Sequence, residues 1–271
     1  MYKKGDVCMK VFDLWENIPG TYANVPTIDY YPAENKTTDG TIVILPGGGY
    51  EFRAEHEGKG YAEFLNAQGM DAFVCQYRVA PDRYPVPLLD ARRAIQFVRY
   101  HAEEFGINPE KVGIMGSSAG GHLAAVLSTV KDEFSDYIIE SDEIDKMNYM
   151  PDFQVLCYPV ISICKGFGHK ESGHNLLGTE DLEHPLREHL APHKLVDENT
   201  PPAFLWHTAT DRSVSVDNSF AYTWALKDKG VEVEFHTLPF GGHGMGIAQD
   251  RPYVHQWTTF LCNWLKYKQF L

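Results

Sequence analysis

Lys111-Val112-Gly113-Ile114-Met115-Gly116-Ser117-Ser118-Ala119-Gly120-Gly121-His122-Leu123-Ala124-Ala125-Val126-Leu127 decides the fold. The first five residues form an apolar, β-type run. The last seven are small and apolar in the manner of a buried helix. Between them lies a Gly-x-Ser-x-Gly string with Ser118 at its apex. Strand, sharp turn and helix in that order lift a serine hydroxyl clear of the backbone at the top of a sheet, and the glycines make so tight a turn sterically possible. The string alone arises by chance in many chains. The flanking strand and helix set it apart from an ordinary βα turn and make Ser118 a candidate nucleophile.

Outward from this turn, short β-type runs alternate with helical ones. Residues 7–15 and 25–31 read as an opening antiparallel pair. Residues 41–45 are continuously apolar, the pattern of a strand buried on both faces. Helical spacing covers 55–68, then strand 72–77 follows. Pro87 suits the first turn of a helix that continues over 88–105. Strands are expected at 111–115, 153–158, 203–208 and 231–238. Helices are expected at 218–229, closed by Gly230, and at 253–267. Strands alternating with helices imply an α/β fold with a mainly parallel sheet covered on both faces, and ligands then sit at the carboxyl ends of the strands. Two stretches break the rhythm inside what otherwise reads as one domain over 1–271. Both sit where a cap or lid would be inserted. The acidic segment 131–150 has weak periodicity and reads first as a surface excursion, with a cap or lid as the other reading. Segment 164–199 is rich in His, Gly and Pro and reads as a cap or lid bordering a pocket.

The chain has 271 residues, of which 44% are hydrophobic, enough for a sizeable core. Its net charge is −13, from 24 basic and 37 acidic residues. That balance argues against nucleic acid or an anionic membrane surface as partner. Five cysteines form no Cys-x-x-Cys pair, and an odd number of buried thiols points to a reducing compartment. The N-terminal residues lack an apolar signal core, so the expected location is the cytoplasm. The sequence leaves homo-oligomerisation open.

A serine hydroxyl is a poor nucleophile and needs a base, and an imidazole base needs a carboxylate to orient it. Asp211 follows strand 203–208, and His243 follows strand 231–238 through Pro239-Phe240-Gly241-Gly242. The order nucleophile, acid, histidine fits this architecture. Flanking glycines suggest that His243 lies on a mobile, exposed loop. Asp217 is the fallback acid, although it also suits a helix start. His207, inside a strand, reads as a packed core histidine, and His122 as structural. His169, His174, His184, His189 and His193 crowd the irregular segment without metal-ligand spacing, so no metal and no cofactor are expected. Leu45-Pro46-Gly47-Gly48-Gly49-Tyr50 leaves a buried strand with three glycines whose N–H groups can approach an oxyanion. Tyr50 and Phe52 follow and are expected to border the substrate, with core packing an equal account of Phe52.

Together these residues resemble the α/β-hydrolase superfamily, and within it the small carboxylesterases related to carbohydrate (xylan) acetyl esterases and hormone-sensitive-lipase-like esterases. The similarity is carried by residues 45–50, Gln76-Tyr77-Arg78-Val79-Ala80-Pro81, 108–124, 172–178, 200–211 and 241–244. It implies the α/β-hydrolase fold, Ser118 as nucleophile, Asp211 as acid and His243 as base. It implies Gly48, Gly49 and Ala119 as oxyanion donors, and a structural role for Arg78 behind its strand. Pro46 stands where the lipase-like relatives have His, which favours the carbohydrate-esterase side. The implied activity is hydrolysis of short acyl esters, acetyl above all, of sugars or small oligosaccharides. A formamidase or small peptidase with the same triad, and a non-catalytic binding protein on a hydrolase scaffold, stay open as alternatives.

Overall fold

A computed structural model describes residues 9–16, 25–130 and 142–271. Eight strands are present: β1 (Lys10–Asp13), β2 (Thr27–Tyr31), β3 (Thr41–Leu45), β4 (Asp71–Gln76), β5 (Val112–Ser117), β6 (Gln154–Cys157), β7 (Ala203–Thr208) and β8 (Val233–Leu238). They form one sheet in the order β1-β2-β4-β3-β5-β6-β7-β8. β2 pairs antiparallel with both β1 and β4, and every other pairing is parallel. β3, β5, β6 and β7 are buried along their whole length, which accounts for their continuous apolar sequence. β8 is an edge strand, and its half-buried residues match the alternation of its sequence.

The two faces are covered by different helices because successive strand residues point opposite ways. Ile42 and Ile44 pack with α1 (Glu55–Ala67) and α9 (Trp257–Tyr267). Val43 and Leu45 pack with α2 (Val86–Tyr100), α4 (Ser118–Leu127) and α7 (Asp217–Asp228). Trp206 stacks on Trp257 at 4.9 Å and ties β7 to the first of these layers.

Two expected helices divide. The stretch 88–105 breaks at His101, where the backbone leaves helical geometry, and resumes as α3 (Ala102–Phe105), closed by Gly106 in a left-handed turn. The last stretch breaks at Gln256 into α8 (Pro252–His255) and α9. There the His255 ring donates to the Ile247 carbonyl at 2.7 Å.

Residues 131–141 of the acidic excursion lie outside the described residues. The following part is fastened to α2, where the buried Arg93 donates to Asp142 (2.7 Å) and Asp145 (3.0 Å). Segment 164–199 carries α5 (Lys170–Leu177), α6 (Pro185–His189) and a 3-10 turn at Pro192–Lys194. Cys75, Cys157, Cys164 and Cys262 are free and buried. Among the described residues no helix is long and apolar enough to cross a membrane.

Just after β4, Arg78 and Asp90 form a fully buried ion pair. Arg78 Nε and Nη2 donate to the two carboxylate oxygens at 2.8 and 2.7 Å. The Arg78 backbone N–H and Trp15 Nε1–H complete the set at 2.9 Å each. This is the anchoring expected of Arg78. Removing the guanidinium strands a buried carboxylate, so Arg78→Met should lower unfolding stability by about 3–5 kcal/mol. Urea denaturation checks this, and a loss below about 1 kcal/mol would contradict it.

Candidate active site

The glycines around Ser118 are dictated by close packing. A Cβ on Gly116 would lie 2.2 Å from the Gly120 carbonyl oxygen. One on Gly120 would lie 2.1 Å from the Leu45 oxygen and 2.5 Å from the Pro46 oxygen. Both contacts are impossible for a side chain, so the end of β3 presses directly on the first turn of α4. Ser118 itself has φ 52°, a left-handed conformation that costs a non-glycine residue energy and aims its side chain outward. Its carbonyl accepts from Val160 N–H at 2.9 Å, which fixes the turn to the chain beyond β6.

Three side chains converge from the ends of β5, β7 and β8. Ser118 Oγ is 2.7 Å from His243 Nε2, and His243 Nδ1 is 2.7 Å from Asp211 Oδ2. A carboxylate only accepts, so Nδ1 carries the proton and Nε2 accepts the serine O–H. Asp211 Oδ1 accepts from the backbone N–H groups of Ser213 (2.9 Å) and Val214 (3.0 Å). Burial pushes the Asp211 carboxyl up, but hydrogen bonds from His207 and His243 outweigh it and hold it well below the usual carboxylate range.

The His243 loop is tethered rather than loose. Thr210 Oγ1 donates to the Gly241 carbonyl and accepts its N–H, both at 3.0 Å. His56 Nε2 donates to the Gly244 carbonyl at 2.9 Å. The edge of the Tyr158 ring meets the His243 ring, with centroids 5.1 Å apart. Glycine composition suggested mobility, but the tethers come from distant parts of the chain that no local reading reaches.

The glycine loop after β3 is held by its carbonyls. Those of Pro46, Gly47, Gly48, Gly49 and Tyr50 accept, respectively, from Tyr77 Oη (2.6 Å), Ala54 N (2.9 Å), Glu51 N (3.0 Å), Asn175 Nδ2 (2.9 Å) and Ala80 N (2.8 Å). Gly48, Gly49 and Tyr50 all have positive φ, so the chain turns its N–H groups the other way. Among the described residues, the N–H groups of Gly48 and Gly49 have no acceptor. Ala119 is the second residue of α4, where first-turn N–H groups lack an intrahelical partner. The N–H of Gly47, by contrast, is taken by Glu57 at 2.9 Å.

Tyr50 does not face a pocket. It is 1% exposed, and its hydroxyl donates to His122 Nδ1 at 2.7 Å, while His122 Nε2 donates to the Leu190 carbonyl at 2.8 Å. The ring sits beneath the glycine loop and braces it. Phe52, at 57% exposure, lies on the surface beside the same loop, so core packing does not explain it. Asp217 is exposed, starts α7 and pairs with Ser215 rather than with a histidine. Among the described residues no group of three His, Cys, Asp or Glu side chains could hold a metal ion. His169 and His184 instead cap the starts of α5 and α6.

Sequence reasoning missed several supporting groups. His207, read as a packed histidine, is buried as expected, yet its Nε2 is 3.0 Å from the Val214 carbonyl and 3.3 Å from Asp211 Oδ2. Its Nδ1 accepts from Ser219 at 2.8 Å. It is a second donor at the acid. Its position four residues before Asp211 was the available signal. Asn175 reaches the glycine loop from 126 residues away, and Glu57 sits in the first turn of α1, where acidic residues are common.

An eight-stranded, mainly parallel sheet with a strained serine where β5 meets α4 defines the class, the α/β-hydrolases. The chain belongs to the BD-FAE family, whose model matches residues 28–226. It is 36% identical over 229 residues to an acetylxylan esterase of Xylanibacter ruminicola, covering 83% of this chain and 45% of that protein. It is 32% identical over 247 residues to endo-1,4-beta-xylanase B of Butyrivibrio fibrisolvens, covering 88% of this chain and 38% of that protein. The chain thus spans less than half the length of these two relatives. A crystal structure of an acetyl ester-xyloside bifunctional hydrolase from Caldicellulosiruptor lactoaceticus matches with TM-score 0.89 and 40% identity over 97% of both chains. The carboxylesterase Cest-2923 of Lactobacillus plantarum shares the fold, with TM-score 0.78 at 23% identity over 98% of both chains.

Burial beneath the loop pushes His122 down from 6.5 to about 4. Above pH 6.5 the imidazole is neutral folded or unfolded and contributes no pH dependence. As pH falls toward 4 only the unfolded chain takes up the proton, so stability is lost over that window, on the order of 3 kcal/mol. His122→Gln lacks this proton site. The stability gap between wild type and the variant should therefore narrow between pH 6.5 and 4 in urea titrations, and a pH-independent gap would contradict the assignment.

Proposed function

We propose that this chain is a serine carboxylesterase that removes short acyl groups, acetyl above all, from sugars or small oligosaccharides. The observation that carries the reading is an unbroken hydrogen-bond chain from Ser118 through His243 to Asp211, at 2.7 Å in each link, next to a loop whose Gly48 and Gly49 N–H groups have no acceptor. Ser118 Oγ attacks the ester carbonyl as its proton passes to His243 Nε2. Charge then develops on the carbonyl oxygen, and the N–H groups of Gly48, Gly49 and Ala119 stabilise it. Asp211 stabilises the imidazolium without accepting its proton. His243 protonates the leaving alcohol, the C–O bond breaks, and an acyl-serine remains. Water attacks that acyl group with His243 again as base, releasing the acid and restoring Ser118.

The domain reading is part of the proposal: one α/β-hydrolase domain over 1–271, with 164–199 as a cap whose α5 borders the pocket. Asn175, from α5, already reaches Gly49. The acetyl and sugar preference is supported by the relatives named for acetylxylan and acetyl ester-xyloside hydrolysis.

The test is acetate release from acetylated xylo-oligosaccharides, beside p-nitrophenyl acetate, butyrate and octanoate and N-formylkynurenine. Acetyl substrates are expected to react fastest. Ser118→Ala and Asp211→Asn should each lower kcat by roughly 10³- to 10⁴-fold or more. Turnover that survives Ser118→Ala would overturn the mechanism, and activity on the formamide alone would move the reaction to amides.

A further inference from the structure

We propose that Glu57 is a positioning residue that locks the glycine loop and the His243 loop into a single register, so that the oxyanion donors and the base stay aligned on Ser118. The proposal rests on the esterase reading above. Glu57 lies in the first turn of α1, takes no part in the triad, and is 2% exposed. A carboxyl group so deeply buried is costly unless its oxygens are satisfied. Here they are satisfied by the glycine loop and by Tyr158, just after β6, which in turn holds the His243 loop. Oε2 accepts the Gly47 N–H at 2.9 Å, and Oε1 accepts the Tyr158 O–H at 2.6 Å.

Tyr158 carries the connection onward. Its oxygen accepts the N–H of Gly246, three residues beyond His243, at 2.9 Å, and the edge of its ring meets the His243 ring. Tyr61, one turn along α1 from Glu57, lies 3.1 Å from the Tyr158 oxygen and 2.8 Å from Ser117 Oγ. One buried network therefore touches Gly47, just before the free donors, Ser117, just before the nucleophile, and Gly246, in the loop carrying the base. The fit at Gly47 is tight, since a Cβ there would lie 2.4 Å from Glu57 Oε2 and 3.0 Å from Ser118 Cβ. By taking the Gly47 N–H, Glu57 also fixes which way the next two peptide groups face.

Both Glu57 oxygens act as acceptors, so the substitutions differ in kind. Glu57→Ala removes both acceptors. Glu57→Gln keeps one oxygen and brings an NH₂ group against a donor. Tyr158→Phe keeps the Glu57 contact to Gly47 and cuts the link from Glu57 to the His243 loop. Two measurements are made. Hydrogen exchange by mass spectrometry follows peptides spanning 46–52 and 243–248, with α9 as an internal control. Kinetics per titrated active site follow p-nitrophenyl acetate, with a trifluoromethyl ketone as tetrahedral analogue.

The expected result for Glu57→Ala is faster exchange in both peptides together and not in α9. kcat should fall roughly 10- to 100-fold with KM within about threefold, because the alignment matters in the transition state. Affinity for the ketone should fall by the same factor as kcat. Glu57→Gln should lie between wild type and Glu57→Ala. Tyr158→Phe should loosen 243–248 while sparing 46–52. Exchange that changes in only one loop in Glu57→Ala, or unchanged kcat and ketone affinity per active site, would overturn the proposal. If Glu57→Ala does not fold, Glu57→Gln and Tyr158→Phe decide it by the same readouts. Unchanged Glu57 variants beside a dead Ser118→Ala would sink only this inference. A wild type without ester turnover would sink the esterase reading, and exchange would still decide the coupling of the two loops.

Discussion

Where β3 ends and α4 begins, two backbones touch with nothing between them. Gly120 stands against the carbonyls of Leu45 and Pro46 at a distance no side chain would survive. That contact fixes the glycine loop relative to Ser118, because the loop is the continuation of β3 and the serine is the first residue of α4. It also explains why Ser118 can be held at positive φ. A strained turn persists only where its surroundings over-determine it. Here they do so through Gly116 against Gly120, Gly121 against Pro159, and the Ser118 carbonyl on Val160. The rest of the site is arranged around this point.

The remaining groups reach the site by burying polar atoms in satisfied networks. Asp211 is served by four hydrogen-bonding groups, two backbone and two imidazole. Arg78 and Asp90 hold the loop after β4, and the neighbouring Ala80 N–H is what the Tyr50 carbonyl accepts from. Tyr50 in turn leans on His122. Buried polar networks of this kind are costly when half-satisfied and rigid when complete. The active-site geometry is thus supported from behind by interior groups that substrate never meets.

The sheet was legible because its strands are buried on both faces, and a run such as 41–45 has only one good explanation in an alternating chain. The Ser118 turn was legible because strand, glycine, serine, glycine and helix are all local. Position after the two late strands, in the order nucleophile, acid, histidine, singled out Asp211 and His243 among 37 acidic residues and 12 histidines, and the resemblance implied the same pair. Less legible was everything set by contacts across the chain. Tyr50 is adjacent to the glycine loop, and adjacency suggested a pocket wall. Only the fold reveals that His122 pulls its ring inward. His207 read as core packing because strand burial dominates its local pattern, whereas its bond to Asp211 depends on how the turn after β7 folds back. The breaks at His101 and Gln256 fall inside continuous helical periodicity, and no side-chain cap marks either of them.

The glycine loop has one more property. Its five carbonyls are all occupied, by groups drawn from three stretches of chain. What faces outward is therefore a surface of donors alone, rigid before any ligand arrives. Such a surface repels alcohol and ammonium hydrogens and welcomes any oxygen rich in electrons. It cannot tell a fleeting tetrahedral oxyanion from the lasting negative charge of a carboxylate. On the proposed mechanism, the same rigidity that readies the loop for a transition state makes it a resting place for the acid set free.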